Sequence, residues 1–286
     1  MKRLSRSACM GAVLGTVCAL LVFALRAEAA DRHGSMTEEF HQTYPITPDG
    51  RVELKNINGD VHISSWDRNE VKVDAVKYAN TKEQLDAAKI EVDAGKDYVS
   101  IRTEYPDHDH TFNWGSHNNP ASVEYTVTVP RRARLDEINL VNGALDISGV
   151  AGEVHASCVN GRLEAKNLAG EAKLSTVNGR LDAAFDQLAS NSVDLNSVNG
   201  SVEVTIPSDS NARIEASTVS GGIDNDFGLH ASHGFVGHNL DGELGNGSAH
   251  IHLSDVNGRI EIHHAQDGRA LSPVKDREKG GDDDSI

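Results

Sequence analysis

Fourteen histidines beside 43 acidic residues make imidazole and carboxylate chemistry the first thing to look for in this sequence. In the stretch YPDHDHTFNWGSHNNP (Tyr105–Pro120), His108, His110 and His117 stand with Asp107 and Asp109. His-x-His spacing can bring two imidazoles to one ion, so these three histidines are the candidate metal ligands. Further on, His250 and His252 alternate and so project from one strand face, and His263 and His264 lie near the next strand. Apolar Ile251, Leu253 and Ile262 take the inward positions there, so these histidines read as solvated. The stretch DNDFG (Asp224–Gly228) has the opening of a calcium loop without the remaining spaced ligands. Cys158 has no neighbour that would lower its thiol pKa and reads as an inert small residue.

Established catalytic signatures are missing. The sequence has no Gly-x-Ser-x-Gly, no His-Glu-x-x-His, no phosphate loop and no Cys-x-x-Cys. It therefore offers no catalytic residue and no cofactor site.

The elements that would position any of these groups are repeats. Gly143, Gly152, Gly161, Gly170 and Gly179 fall nine residues apart. Two residues after each stand Leu145, Val154, Leu163, Ala172 and Leu181, and four after stand Ile147, Ala156, Ala165, Leu174 and Ala183. Polar residues fill the positions between, including Arg162, Glu164 and Lys173, so each unit is a short strand with one buried and one wet face. Val150, Val159, Leu168 and Val177, seven residues on, are expected inward as well. Nine residues hold a strand and a tight corner but no crossover helix, so the units must stack as coils. Asn142, Asn160 and Asn178 recur every eighteen residues, so two units make one coil and the Val-Asn-Gly corners lie above one another. Stacked asparagines there could bond along the edge.

The template continues at Gly200, Gly221 and Gly242 with three extra residues per coil, and again at Gly258. It also occurs upstream in RVELKNINGDVHI (Arg51–Ile63), which places that strand pair in the same structure. EVKVDAVKYA, DYVSIRTEY and SVEYTVTVP read as further strands, and Thr81 with Gln84 caps a short helix over about 82–89. The fold class is all-β: a β-solenoid of about six coils over 135–264, with strands of 30–134 and one short helix packed at one end. Residues 265–286 read as a disordered charged tail.

Residues 1–29 carry Lys2, Arg3 and Arg6, an apolar run from about Gly11 to Leu25 and a terminal Ala27-Glu28-Ala29, and so read as a cleaved signal peptide. That run is shorter than the ~20 residues of a membrane span, so no transmembrane segment is expected after cleavage. Export to the periplasm or the cell surface follows. Losing four bases (Lys2, Arg3, Arg6, Arg26) and one acid (Glu28) takes the formal net charge from −16 to −19, which excludes nucleic acid as a partner. Cys158 is then the one remaining cysteine, so no internal disulfide forms.

The segment GRVELKNINGDVHISSWDRNEVKVDAVKYA, the strand VEYTVTVP and the train of Val-Asn-Gly units resemble the bacterial putative adhesin family of unknown function, over roughly 39–264. That resemblance implies an exported or tethered β-solenoid, and the family supplies no catalytic residues to carry over. Two functional readings stand. One is a non-enzymatic envelope or surface scaffold that binds a glycan or a protein. The other is a polysaccharide-acting β-helix enzyme, which needs convergent acids in an aromatic-lined groove. The mixed outward positions and the location of Trp66 and Trp114 outside the regular coils favour the scaffold.

Overall fold

The computed structural model describes residues 36–105, 121–188, 192–233 and 237–276. The predicted signal peptide and the candidate ligands His108, His110 and His117 lie outside these residues.

The N-terminal part comprises β1 (Met36–Pro45), β2 (Arg51–Asn58), β3 (Val61–Trp66), β4 (Glu70–Ala79), α1 (Lys82–Ala87), β5 (Lys89–Ala94), β6 (Tyr98–Glu104) and β7 (Ser122–Pro130). Thr81 caps α1, its hydroxyl accepting from the Gln84 N–H at 3.3 Å, and the Gln84 side chain accepts from the Asn80 N–H at 3.2 Å. The repeats follow as β8 (Arg134–Asn142) and β9 (Leu145–Ser148), β10 (Val154–Asn160) and β11 (Leu163–Leu168), β12 (Ala172–Asn178) and β13 (Leu181–Phe185), β14 (Ser192–Asn199) and β15 (Val202–Ile206), and β16 (Ala212–Ser220) and β17 (Ile223–Asn225). The chain then forms β18 (Ser232–His233), β19 (His238–Leu244), β20 (Ala249–Asn257), β21 (Ile260–His264) and β22 (Val274–Asp276).

Each repeat coil contributes one strand to each of two sheets. One sheet runs β1-β4-β7-β3-β9-β11-β13-β15-β21-β17, and the other β18-β19-β16-β20-β14-β12-β10-β8-β2-β6-β5. Coil on coil the pairing is parallel and shifted by one whole coil, as in Leu163↔Leu181 and Leu174↔Ala156. Six coils lie between Leu135 and His264, and β2 with β3 makes a seventh. Leu145, Ile147, Leu163, Leu174 and Leu195 are buried between the sheets, as the alternation requires.

Stacking departs from sequence order at one place. The coil β20–β21 lies between β14–β15 and β16–β17, with Asn199↔Asn257 on one side and Ser220↔Asn257 on the other. Gly258 thus occupies the corner between Gly200 and Gly221. Gly242 is no repeat corner. It lies within β19, which runs antiparallel along the outer edge of β16. The reading of a disordered tail is corrected as far as Asp276: β22 pairs antiparallel with β19, and Arg269 bonds Asp209 at 2.8 Å. Among the described residues no helix is long and apolar enough to cross a membrane.

Candidate functional site

Two surfaces emerge from the repeat, and the corner chemistry decides what each displays. At the Val-Asn-Gly corner, Gly161 has φ 150°, and a Cβ on it would overlap the Gly143 carbonyl oxygen of the coil beneath. Glycine is required there both for conformation and for close stacking. The asparagines form a ladder: Asn142 donates to Asn58 at 2.9 Å, Asn160 to Asn142 at 2.9 Å, Asn178 to Asn160 at 2.9 Å, Asn199 to Asn178 at 3.0 Å and Asn257 to Asn199 at 3.0 Å.

The valines of these corners point outward, which overturns the inward expectation for Val159 and Val177. Ile57, Val141, Val159, Val177, Val198, Val256 and Val219 are 37–55% exposed, one per coil in stacking order. Strand parity explains it: Val154, Ala156 and Cys158 are inward, so Val159 must face out. At the other corner a left-handed residue resets the parity, Gly149 at φ 73° and Asn167 at φ 54°, and Val150 and Leu168 turn inward as expected. The result is a ridge of exposed β-branched side chains beside the asparagine ladder. Cys158 is buried beneath it, and burial pushes its thiol up to about 11, which suits the inert role.

The second surface is the outer face of the sheet that contains β9, β11, β13, β15, β21 and β17. The register stacks Asp146, Glu164, Asp182, Glu203, Glu261 and Asp224 on successive strands. Arginines knit this acidic column: Arg162 reaches Asp146 at 2.9 Å and Glu164 at 3.6 Å, and Arg180 reaches Asp182 at 2.7 Å and Glu203. Arg259 lies 3.5 Å from Glu261 and 3.7 Å from Asp224. Exposed pairs of this kind contribute ~0–1 kcal/mol each, so they mainly cancel repulsion along the column. A shallow groove on this face is lined by Glu164, Lys166, Arg180, Asp182, Glu203 and Thr205 together with alanines.

Histidine and carboxylates meet in two clusters. Glu153, His155 and Glu171 converge on the sheet of β10 and β12, with His155 Nε2 already bonded to Glu153 at 2.8 Å. Glu203, Glu261 and His263 converge at the far end of the acidic column, with Asp226 2.8 Å from His263 Nδ1. That hydrogen bond, foremost, raises the His263 pKa. His263 lies on the outer face as expected, but held against Asp226 and not free in solvent. The template already stacks a glutamate three residues after each of Gly200 and Gly258. It was the adjacency of these two coils, 58 residues apart in sequence, that local spacing could not reveal. His250 and His252 are exposed, as expected. The DNDFG segment is the end of β17 and the bend after it, where Asn225 bonds both the N–H and the carbonyl of Leu229 and Phe227 is buried.

A family model described as Toastrack DUF4097 matches residues 46–263. No curated protein matches the chain. Solved structures similar to it include a putative cell adhesion protein from Clostridium sporogenes ATCC 15579, at 13% identity over 80% of this chain and 100% of that one, with a TM-score of 0.48. A putative adhesin from Bacteroides fragilis NCTC 9343 matches at 11% identity over 80% and 97%, with a TM-score of 0.29. A putative lipid binding protein from Parabacteroides distasonis ATCC 8503 matches at 10% identity over 80% and 97%, with a TM-score of 0.28.

Proposed function

The chain belongs to the Toastrack DUF4097 family, and on that footing we propose that it is a non-enzymatic binding scaffold, exported to the cell envelope or surface. The observation that carries this reading is the ridge of seven exposed β-branched residues along one corner of the stacked coils. The coils hold these side chains at the strand spacing of ~4.8 Å, so a ligand meets a regular, preorganised line of apolar contacts. The asparagine ladder beside it adds amide groups held in register. Glycan or protein of the envelope is the ligand class for such an edge.

The acidic column supports the alternative of a polysaccharide-acting enzyme less well. Its carboxylates are tied to Arg162, Arg180 and Arg259, and the groove between them is lined by charged residues, threonine and alanine rather than by aromatic platforms. The test is binding of the purified chain to immobilised envelope glycans and to intact cells. Val159→Ser/Val177→Ser/Val198→Ser should abolish binding while the melting transition stays cooperative. Retained binding by that variant removes the ridge from the proposal, and release of reducing ends from the same glycans overturns the non-enzymatic reading.

A further inference from the structure

The end of the acidic column differs from the rest of it in one respect. In the coil of Glu164, the residue two places further along the strand is Lys166, whose ammonium pairs with Glu164. Lys166 pairs with Ser148 in β9 on one side, and further along the stack that position is Ala184 in β13, Thr205 in β15 and His263 in β21. Two stacked glutamates therefore face an imidazole where an earlier coil supplies an amine.

The geometry around that imidazole is directional. Glu203 uses one carboxylate oxygen on Arg180 and turns the other, Oε1, to within 3.9 Å of His263 Nε2. Glu261 has Oε1 3.5 Å from Arg259 and turns Oε2 to within 3.8 Å of the same nitrogen. These separations are longer than hydrogen bonds and suit donor atoms that share one ion, each ~2.0–2.2 Å from it. On the far side of the ring, Nδ1 is bonded to Asp226, whose own backbone N–H donates to the Ile262 carbonyl at 3.0 Å. A carboxylate on the second ring nitrogen fixes the tautomer and aims the free nitrogen, the usual arrangement behind a metal-bound histidine. Charge balance points the same way. Glu203, Glu261, Asp224 and Asp226 gather four negative charges against Arg180 and Arg259. In the other cluster Asp136 stands 3.8 Å from His155 Nδ1, too far for a hydrogen bond that would fix the ring, Nε2 lies 2.8 Å from Glu153 alone, and Glu171 is exposed.

We propose that Glu203, Glu261 and His263 bind a divalent transition-metal ion of the zinc class on the outer face of β15 and β21, with Asp226 as the positioning residue behind the imidazole. One nitrogen and two carboxylate donors select zinc-like ions over calcium, which takes oxygen ligands alone, and water completes the coordination. The site bridges two coils that are distant in sequence, so an ion there also ties the intercalated coil to its neighbour.

Zn²⁺ titrated calorimetrically into the full chain tests this, with Ca²⁺ in parallel. His263→Ala and the double variant Glu203→Gln/Glu261→Gln should each lose one equivalent of bound zinc. Asp226→Asn should keep that equivalent at an affinity ~10–100-fold weaker. His155→Ala should keep it unchanged, which separates this site from other histidines that take zinc. A measurement free of variants is the His263 ring resonance in the wild-type chain, which should shift on adding Zn²⁺ and stay in place with Ca²⁺. An unmoved resonance at saturating zinc, or equal zinc stoichiometry and affinity in wild type and His263→Ala, overturns the proposal.

Discussion

Single positions in this molecule divide sharply by parity. Leu163 is fully buried and Glu164 lies on the outer face, so Leu163→Ala should cost ~2–5 kcal/mol and Glu164→Ala no more than ~0.5–1 kcal/mol in denaturant melts. Gly161→Val should be at least as damaging as the leucine change, because the side chain meets both a positive φ and the Gly143 carbonyl. Equal sensitivity at Leu163 and Glu164 would contradict the register. This much could be read from alternation alone. The same count from Val154 puts the corner valines outward, and it was their residue type, which argues for burial, that pointed the wrong way. Asp255 was hidden. It takes the inward corner position that Leu140 and Cys158 fill in other coils, it is 2% exposed, and neither carboxylate oxygen has a hydrogen-bond partner among the described residues. Burial raises its pKa despite the nearby Val256 and Asn257 N–H groups and the Ser197 hydroxyl. A carboxyl whose folded pKa is raised stabilises the fold below its unfolded value of ~3.9, and that contribution is lost as pH rises through the folded value. Asp255→Ser should therefore be more stable than wild type at neutral pH by ~1–3 kcal/mol, with the difference shrinking toward pH 4. Urea melts of both proteins across that range check it, and a difference independent of pH counts against a buried charge.

At the scale of elements, the asparagine ladder and the intercalated coil carry separate expectations. Asn178 donates to Asn160 and accepts from Asn199, so Asn178→Ala breaks two rungs and should cost ~1–3 kcal/mol. Asn139→Ala, outside the ladder, is the control, and a melt that shifts equally for both variants rejects a special role for the rungs. The intercalated coil bears on folding order. Pairs such as β10–β12 join residues eighteen apart, whereas β14–β20 joins residues 58 apart, and loop closure slows with separation. Pulse-labelled hydrogen exchange should show β10, β12 and β14 protected first, with β16 protected no earlier than β20. Protection of β16 ahead of β20 would mean that it first docks directly on β14 and is later displaced. The sequence displayed every one of these strands through its Gly-centred template. It concealed their stacking order, because β16 and β20 carry the same pattern and either could sit on β14. β1 and β22 were missed for another reason: their residues are mostly exposed, so no alternation marks them.

Across the assembled coils, layer order sets where the molecule can change length. Between Gly143 and Gly179 each eighteen-residue unit rests on the unit before it, so a tandem copy of one unit there would slot in as another layer without disturbing the ones above or below. A second copy of residues 144–161 placed after Gly161 should fold, extend the stack by ~4.8 Å and enlarge the set of exchange-protected amides by one coil. A copy of 201–221 placed after Gly221 meets a different situation, because the neighbouring layers there are supplied by chain that arrives later, and it should fold poorly. Equal tolerance of the two insertions, read as cooperative melts, would contradict this. The interleaved coil thus divides the protein into a stretch open to growth by duplication and a terminal stretch locked in length, like a zip whose last teeth close from the other side.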